Sequence, residues 1–154
     1  MKLYLLQHGE AHSKAQDLNR PLTTTGIADI EHVAEFLKKA NVQVKLIIHS
    51  GKLRARQTAE YLSKGFIDTI EAESSNSINP SDPPEIFSRQ IDSLEGDTLV
   101  VSHLPFLPRL ISYLLYGDED HLMLAFQPGS IVCLERVNDK QWMINWMIRP
   151  ELLG

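Results

Sequence analysis

Apolar residues along the chain follow two rhythms. Short runs at residues 2–7, 44–49 and 98–102 are rich in branched side chains and have the length of strands buried on both faces. Each ends in a polar residue followed by a helical pattern. Between the first two, Ile27, Ile30, Val33, Ala34 and Leu37 recur at helical spacing behind Thr23, Thr24 and Thr25, residues suited to capping a helix N-terminus. Residues 52–63 predict a shorter helix, and Ile86, Phe87, Ile91 and Leu94 line one side of another that follows Pro83 and Pro84. After the third run, Phe106, Leu107, Leu110, Ile111, Leu114 and Leu115 form an amphipathic stripe, opened by Pro105 and closed by Gly117.

Residues 73–84, rich in Ser, Asn and Pro, predict a long surface loop of the kind that is often functional. Residues 131–137 and 142–148 flank Asn138, Asp139 and Lys140 and predict a terminal hairpin, with Trp142 and Trp146 on the same face of its last strand, packed in the core. Strands alternating with helices predict an α/β fold, a mostly parallel sheet covered by helices on both faces with a C-terminal hairpin. Such sheets bind ligands at the carboxyl ends of their strands.

The 154 residues suit a single domain, residues 1–154. Hydrophobic residues make up 43% and charged residues 23%, so a disordered chain and a collagen-like repeat are excluded. The richest apolar stretch is broken by Pro105, Pro108 and Arg109, which argues against a membrane span. The apolar run at residues 3–6 meets Gln7 and His8 at once, too short for a signal-peptide core, and the lone Cys133 makes no internal disulfide. Both features lead to the expectation of a cytoplasmic protein. The formal charge of −5 disfavours nonspecific attraction to nucleic acid or anionic membrane, so an anionic ligand must be held by a local cluster.

Such a cluster is available at the predicted strand ends. Gln7, His8, Gly9 and Glu10 close the first run; Ser50, Arg54 and Arg56 follow the second; Ser102 and His103 end the third. Two histidines and an arginine converging there can hold a phosphoryl group, the guanidinium gripping its oxygens in a planar fork and a neutral imidazole attacking phosphorus. Gly9 lets the backbone come close to a ligand. The same pattern also fits two histidines that merely cap strand ends.

The residues 6–11, Leu-Gln-His-Gly-Glu-Ala, resemble the Arg-His-Gly signature of the histidine phosphatase superfamily, the phosphoglycerate mutase-like fold. Arg20-Pro21-Leu22-Thr23 with Gly26, Ser50 with Leu53-Arg54-Ala55 and Gln57-Thr58-Ala59, and Val101-Ser102-His103-Leu104-Pro105 recur in the order and spacing of its small SixA-type phosphohistidine phosphatases. The stretch Asn79-Pro80-Ser81-Asp82-Pro83 resembles that subgroup's Pro-containing loop. The likeness covers nearly the whole chain.

It implies a two-step phosphoryl transfer. His8 is the implied nucleophile; Arg54 and His103 bind the phosphoryl oxygens and stabilise charge in transfer, beside Gln7 and Gly9 in the phosphate site. The implied substrate is a phosphorylated histidine of a signalling or phosphotransfer protein, such as a histidine phosphotransfer domain, with phosphate as product and no cofactor or metal. The alternatives are a phosphatase for small phosphomonoesters and a phosphate- or phosphoprotein-binding module with weakened turnover.

The chain departs from the signature at Gln7, which stands where the family has arginine and brings no charge. It also carries Leu104 where larger members place an acid after the second histidine. That omission suits a phosphoramidate, whose leaving nitrogen needs less help, while Glu10 and Asp82 remain candidate acids. His8, Glu10 and His12 do not suit a metal site, because Gly9 marks a strand-to-loop transition rather than a helix that would align ligands. Arg56, two residues from Arg54 on a helix, should point away as a solvated charge. Arg20 is expected at the pocket rim or paired with a carboxylate, His32 on an exposed helix side, and His49 and His121 in structural or solvated positions.

Overall fold

The computed structural model describes residues 1–66, 68 and 70–154. Its sheet contains β1 (Lys2–Gln7), β2 (Leu46–His49), β3 (Ala72–Ser74), β4 (Thr98–Ser102), β5 (Ile131–Asn138) and β6 (Gln141–Ile148), in the spatial order β3-β2-β4-β1-β5-β6. The first four of these in space run parallel, and β5 and β6 are antiparallel. The helices are α1 (Thr24–Lys39), α2 (Leu53–Ser63), α3 (Pro84–Ile91) and α4 (Phe106–Tyr116). No helix among the described residues is long and apolar enough to cross a membrane.

Alternation along the strands builds a core on each face. Tyr4, Leu6, Leu99 and Val101 pack with Ile30, Val33 and Leu37 of α1 and with Ala55, Ala59 and Leu62 of α2. Leu3, Leu5 and Val100 pack on the other face with Phe87 and Ile91 of α3 and with Phe106, Leu110 and Ile111 of α4. Thr23 caps α1 by accepting the Gly26 N–H on its hydroxyl at 3.0 Å, and Gly117, at φ 74°, closes α4 in the left-handed region that favours glycine.

The terminal hairpin corrects one sequence expectation. Cys133 pairs with Trp146 and Leu134 with Ile144, so Asn145 bulges from β6 and the alternation reverses there. Trp146 packs against Tyr4 and Phe36 in one core, whereas Trp142 joins the other, so the two tryptophans lie on opposite faces. The expected loop at 73–84 is also less superficial than its composition suggests. It begins within the edge strand β3, and Ile78 is wholly buried, its carbonyl accepting the Ser102 hydroxyl at 2.7 Å.

Candidate active site

Sheet order decides what meets what. β2, β4 and β1 are neighbours, with His49 opposite Val101 and Gln7 opposite Ser102, so the residues that follow each strand emerge on one edge. His8 and His103 face one another with ring centroids 5.0 Å apart. Ser50, just past β2, places its hydroxyl 2.6 Å from His103 Nε2. Arg54, in the first turn of α2, donates from Nε to His8 Nε2 at 3.3 Å. The expected trio of His8, Arg54 and His103 is therefore brought together by three parallel strands and one helix.

The protonation of His8 follows from its partners. Nδ1 lies 2.8 Å from the Gly9 carbonyl, which can only accept, so Nδ1 carries the proton and Nε2 keeps a lone pair turned toward Arg54. Burial, followed by the nearby charges of Arg54 and Arg20, lowers the His8 pKa to about 4 against the opposing hydrogen bond to Gly9. His103 is lowered to about 3, first by burial and then by His8, Arg54, Lys52 and Arg20. Its Nδ1 is buried without a hydrogen-bond partner. Burial and the neighbouring cations thus favour the neutral form of both imidazoles in the unliganded protein near neutral pH. A site with two neutral imidazoles, a guanidinium and further cations gains most from an anion, which favours protonation as it binds.

The other candidates make contacts of their own. A Cβ on Gly9 would meet Ile30 Cγ1 at 2.9 Å and the Gly26 carbonyl oxygen at 3.1 Å, so its missing side chain admits α1 rather than a ligand. Its N–H is donated to Thr58 Oγ1 at 3.0 Å instead of being free for phosphate. Thr58 in turn donates to the Arg54 carbonyl at 2.7 Å, tying the His8 loop to the helix that carries Arg54. Glu10 is exposed and accepts the Thr23 hydroxyl at 3.0 Å, beside the start of α1. Asp82 accepts the Asn79 N–H at 2.8 Å, organising the Pro-containing loop, and lies in the groove that also holds Arg54. Gln7 is buried, and its Oε1 has no hydrogen-bond partner.

Arg20 reaches the same groove as Arg54 while its Nε donates to the His12 carbonyl at 3.0 Å. Arg56 points away, 3.8 Å from Glu60. His49 Nδ1 accepts the Gly51 N–H, His121 lies 3.5 Å from Asp118, and His32 is half-buried rather than exposed. The hydroxyls of Ser50 and Thr58 lie inside motifs visible in the sequence, but their contacts are long-range and no periodicity marks them. Lys14 and Lys52, which also line the groove, carry no local signal beyond their charge.

Residues 3–75 match the model of the histidine phosphatase superfamily (branch 1). The chain is 28% identical over 155 aligned residues to the phosphohistidine phosphatase SixA of Escherichia coli (strain K12), an alignment covering 97% of this chain and 94% of that protein. The structure of the protein histidine phosphatase SixA complexed with tungstate superposes with a TM-score of 0.88 at 27% identity, covering all of both chains. The alpha-ribazole phosphatase from Shigella flexneri shares the fold, with a TM-score of 0.78 at 16% identity over 97% of each chain. The family match runs from β1 through β3 and so includes His8 and Arg54, while the likeness to SixA continues to the end of the chain: the first half of this protein matches the histidine phosphatase superfamily, and the whole of it is similar to SixA.

Proposed function

We propose that the protein is a phosphohistidine phosphatase, acting on a phosphorylated histidine of a signalling or phosphotransfer protein through a phosphohistidine intermediate on His8. The observation that carries this reading is the lone pair on His8 Nε2, kept free of a proton by the Gly9 carbonyl at Nδ1 and aimed at the Arg54 guanidinium. A phosphoryl group between the two places phosphorus near the nucleophile and its oxygens against the cation.

In the first step His8 Nε2 bonds to phosphorus as the substrate's N–P bond breaks. A substrate imidazole already protonated on its other ring nitrogen departs neutral, so no protein acid is needed. His8 becomes a cationic N-phosphorylated imidazole whose Nδ1 proton rests on the Gly9 carbonyl. Arg54 balances the charge on the phosphoryl oxygens, and His103, oriented by Ser50, contacts them as a neutral donor or, once the anion is bound, as a cation. Water then attacks phosphorus, releasing phosphate and restoring the lone pair. Leu104 after His103, and the engagement of Glu10 with Thr23, fit a substrate that leaves without acid catalysis.

Steady-state hydrolysis of a phosphohistidine protein, phosphoramidate and an aryl phosphate tests the reading. The two N–P substrates are expected to turn over faster; preference for the aryl phosphate would point to a phosphomonoesterase. The neutral Gln7 favours a second reading, a phosphate- or phosphoprotein-binding module, which tungstate binding without turnover of any of the three would support.

A further inference from the structure

Beside the phosphoryl site lies an open groove of about 410 Å³, larger than one phosphoryl group. Lys14, Arg20, Lys52 and Arg54 line it, and the lone carboxylate in its wall, Asp82, accepts the Asn79 N–H. This is an unusual concentration of positive charge on a chain with a formal charge of −5. Among the described residues Arg56, Arg89, Arg109, Arg136 and Arg149 each pair with a carboxylate. Arg20 and Arg54, the remaining arginines, have no carboxylate partner, and both face this groove.

Arg20 is also held in place. Its backbone takes φ 49°, the left-handed region seldom used by residues with a side chain, and its loop is pinned by an isolated bridge between Ala11 and Leu22. The His12 carbonyl receives its Nε–H. Arg54 and His103 stand beside His8 at the phosphoryl site, whereas Arg20, Lys14 and Lys52 extend the positive charge along the groove toward a larger anionic ligand. No aromatic ring lines the groove, and its apolar contribution comes from Pro80 and from Leu18, which is 85% exposed at the rim. Small-molecule sites are enclosed and mostly apolar, so this open, polar, cationic surface is better suited to a macromolecule.

We propose that this groove docks acidic side chains flanking the phosphohistidine on the partner protein, with Leu18 as an apolar contact at its edge. The proposal rests on the phosphohistidine reading and adds the chemistry by which the partner is chosen. Opposite charge across such a surface speeds encounter and excludes basic partners, and the effect weakens as salt shortens the Debye length to about 10 Å at 0.1 M.

Synthetic peptides of equal length, each with one phosphohistidine flanked by glutamates, serines or lysines, provide the test. At low ionic strength kcat/KM should be highest for the glutamate peptide and lowest for the lysine peptide, with a spread of about tenfold or more that narrows in high salt. Lys14→Glu should shrink or reverse that order while leaving phosphoramidate turnover unchanged, and Lys140→Glu, at the β5–β6 turn, should leave the order intact. Equal kcat/KM for the three peptides would overturn the proposal. If none is hydrolysed, the phosphohistidine reading has failed, and the unphosphorylated peptides still decide the groove by fluorescence anisotropy. Tighter binding of the glutamate peptide supports docking; equal binding overturns it.

Discussion

Arg54 Nε donates to His8 Nε2 across 3.3 Å, so the nitrogen assigned to attack phosphorus and the cation assigned to bind its oxygens already touch before any substrate arrives. This contact requires a neutral imidazole, because a protonated Nε2 would present a second donor to the guanidinium. Burial keeps it neutral by lowering the His8 pKa to about 4.

The first prediction concerns pH. With His8 at about 4 and His103 at about 3, kcat/KM, which reports the free enzyme, should not fall as pH drops through 6.5. Its acid limb should begin near pH 5 or below, once the substrate's own titration is subtracted. An acid limb centred at 6.5 and absent for the substrate would contradict the neutral-site account.

The same shifts set a stability slope. Above about pH 6.5 both histidines are neutral in folded and unfolded chains and contribute no slope. Below it the unfolded chain binds protons that the native state refuses, so stability falls as pH drops toward the folded pKa of about 4 for His8. That residue's share is on the order of 2 to 3 kcal/mol between pH 7 and 4.5. Urea unfolding of wild type and His8→Asn at both pH values should show a smaller pH-dependent loss in the variant. Parallel losses would mean that His8 titrates normally.

Gly26→Ala reverses an ordinary rule. Alanine in place of a helical glycine usually gains about 1 kcal/mol, yet a Cβ here would lie 2.1 Å from the Glu10 carbonyl oxygen. The variant should lose stability by about 1 to 3 kcal/mol or more, with Gly9→Ala also destabilised because its Cβ would meet α1. A stabilised Gly26→Ala, measured by chemical denaturation, would contradict the close contact between α1 and the His8 loop.

Gln7 separates stability from binding. Its buried Oε1 lacks a partner, a loss worth about 1 to 3 kcal/mol when a polar group is left unsatisfied. Gln7→Met should therefore be more stable and bind tungstate more weakly, whereas Gln7→Arg should bind it about tenfold more tightly by adding a charge-assisted bond. Calorimetric titration of tungstate into the three proteins checks both directions; unchanged affinity in both variants would mean that Gln7 does not face the phosphoryl group.

The legible and illegible parts of this protein divide by range. The strands β1, β2 and β4 show in local apolar runs, and α1 in a stripe capped by Thr23, so the sheet edge carrying His8, Arg54 and His103 was foreseeable. The reversal in β6 was not, since a bulge at Asn145 depends on pairing with β5 and leaves the local alternation pattern unchanged. Gly9 looked like a ligand-facing glycine because adjacency to His8 says nothing about where a Cβ would point. Thr58 and Ser50 act through contacts 49 and 53 residues away in sequence, and the neutral state of His103 comes from burial and surrounding cations that only folding assembles.

The central claim is that His8 carries the phosphoryl group, and rapid quench of the enzyme with a phosphorus-32-labelled phosphohistidine protein tests it most directly. The account predicts a transient labelled enzyme, labile in acid and stable in alkali as an N–P bond is, with the label on His8 and absent from a folded His8→Ala variant that no longer turns over. Full turnover by His8→Ala, or an acid-stable label on another residue, would contradict it.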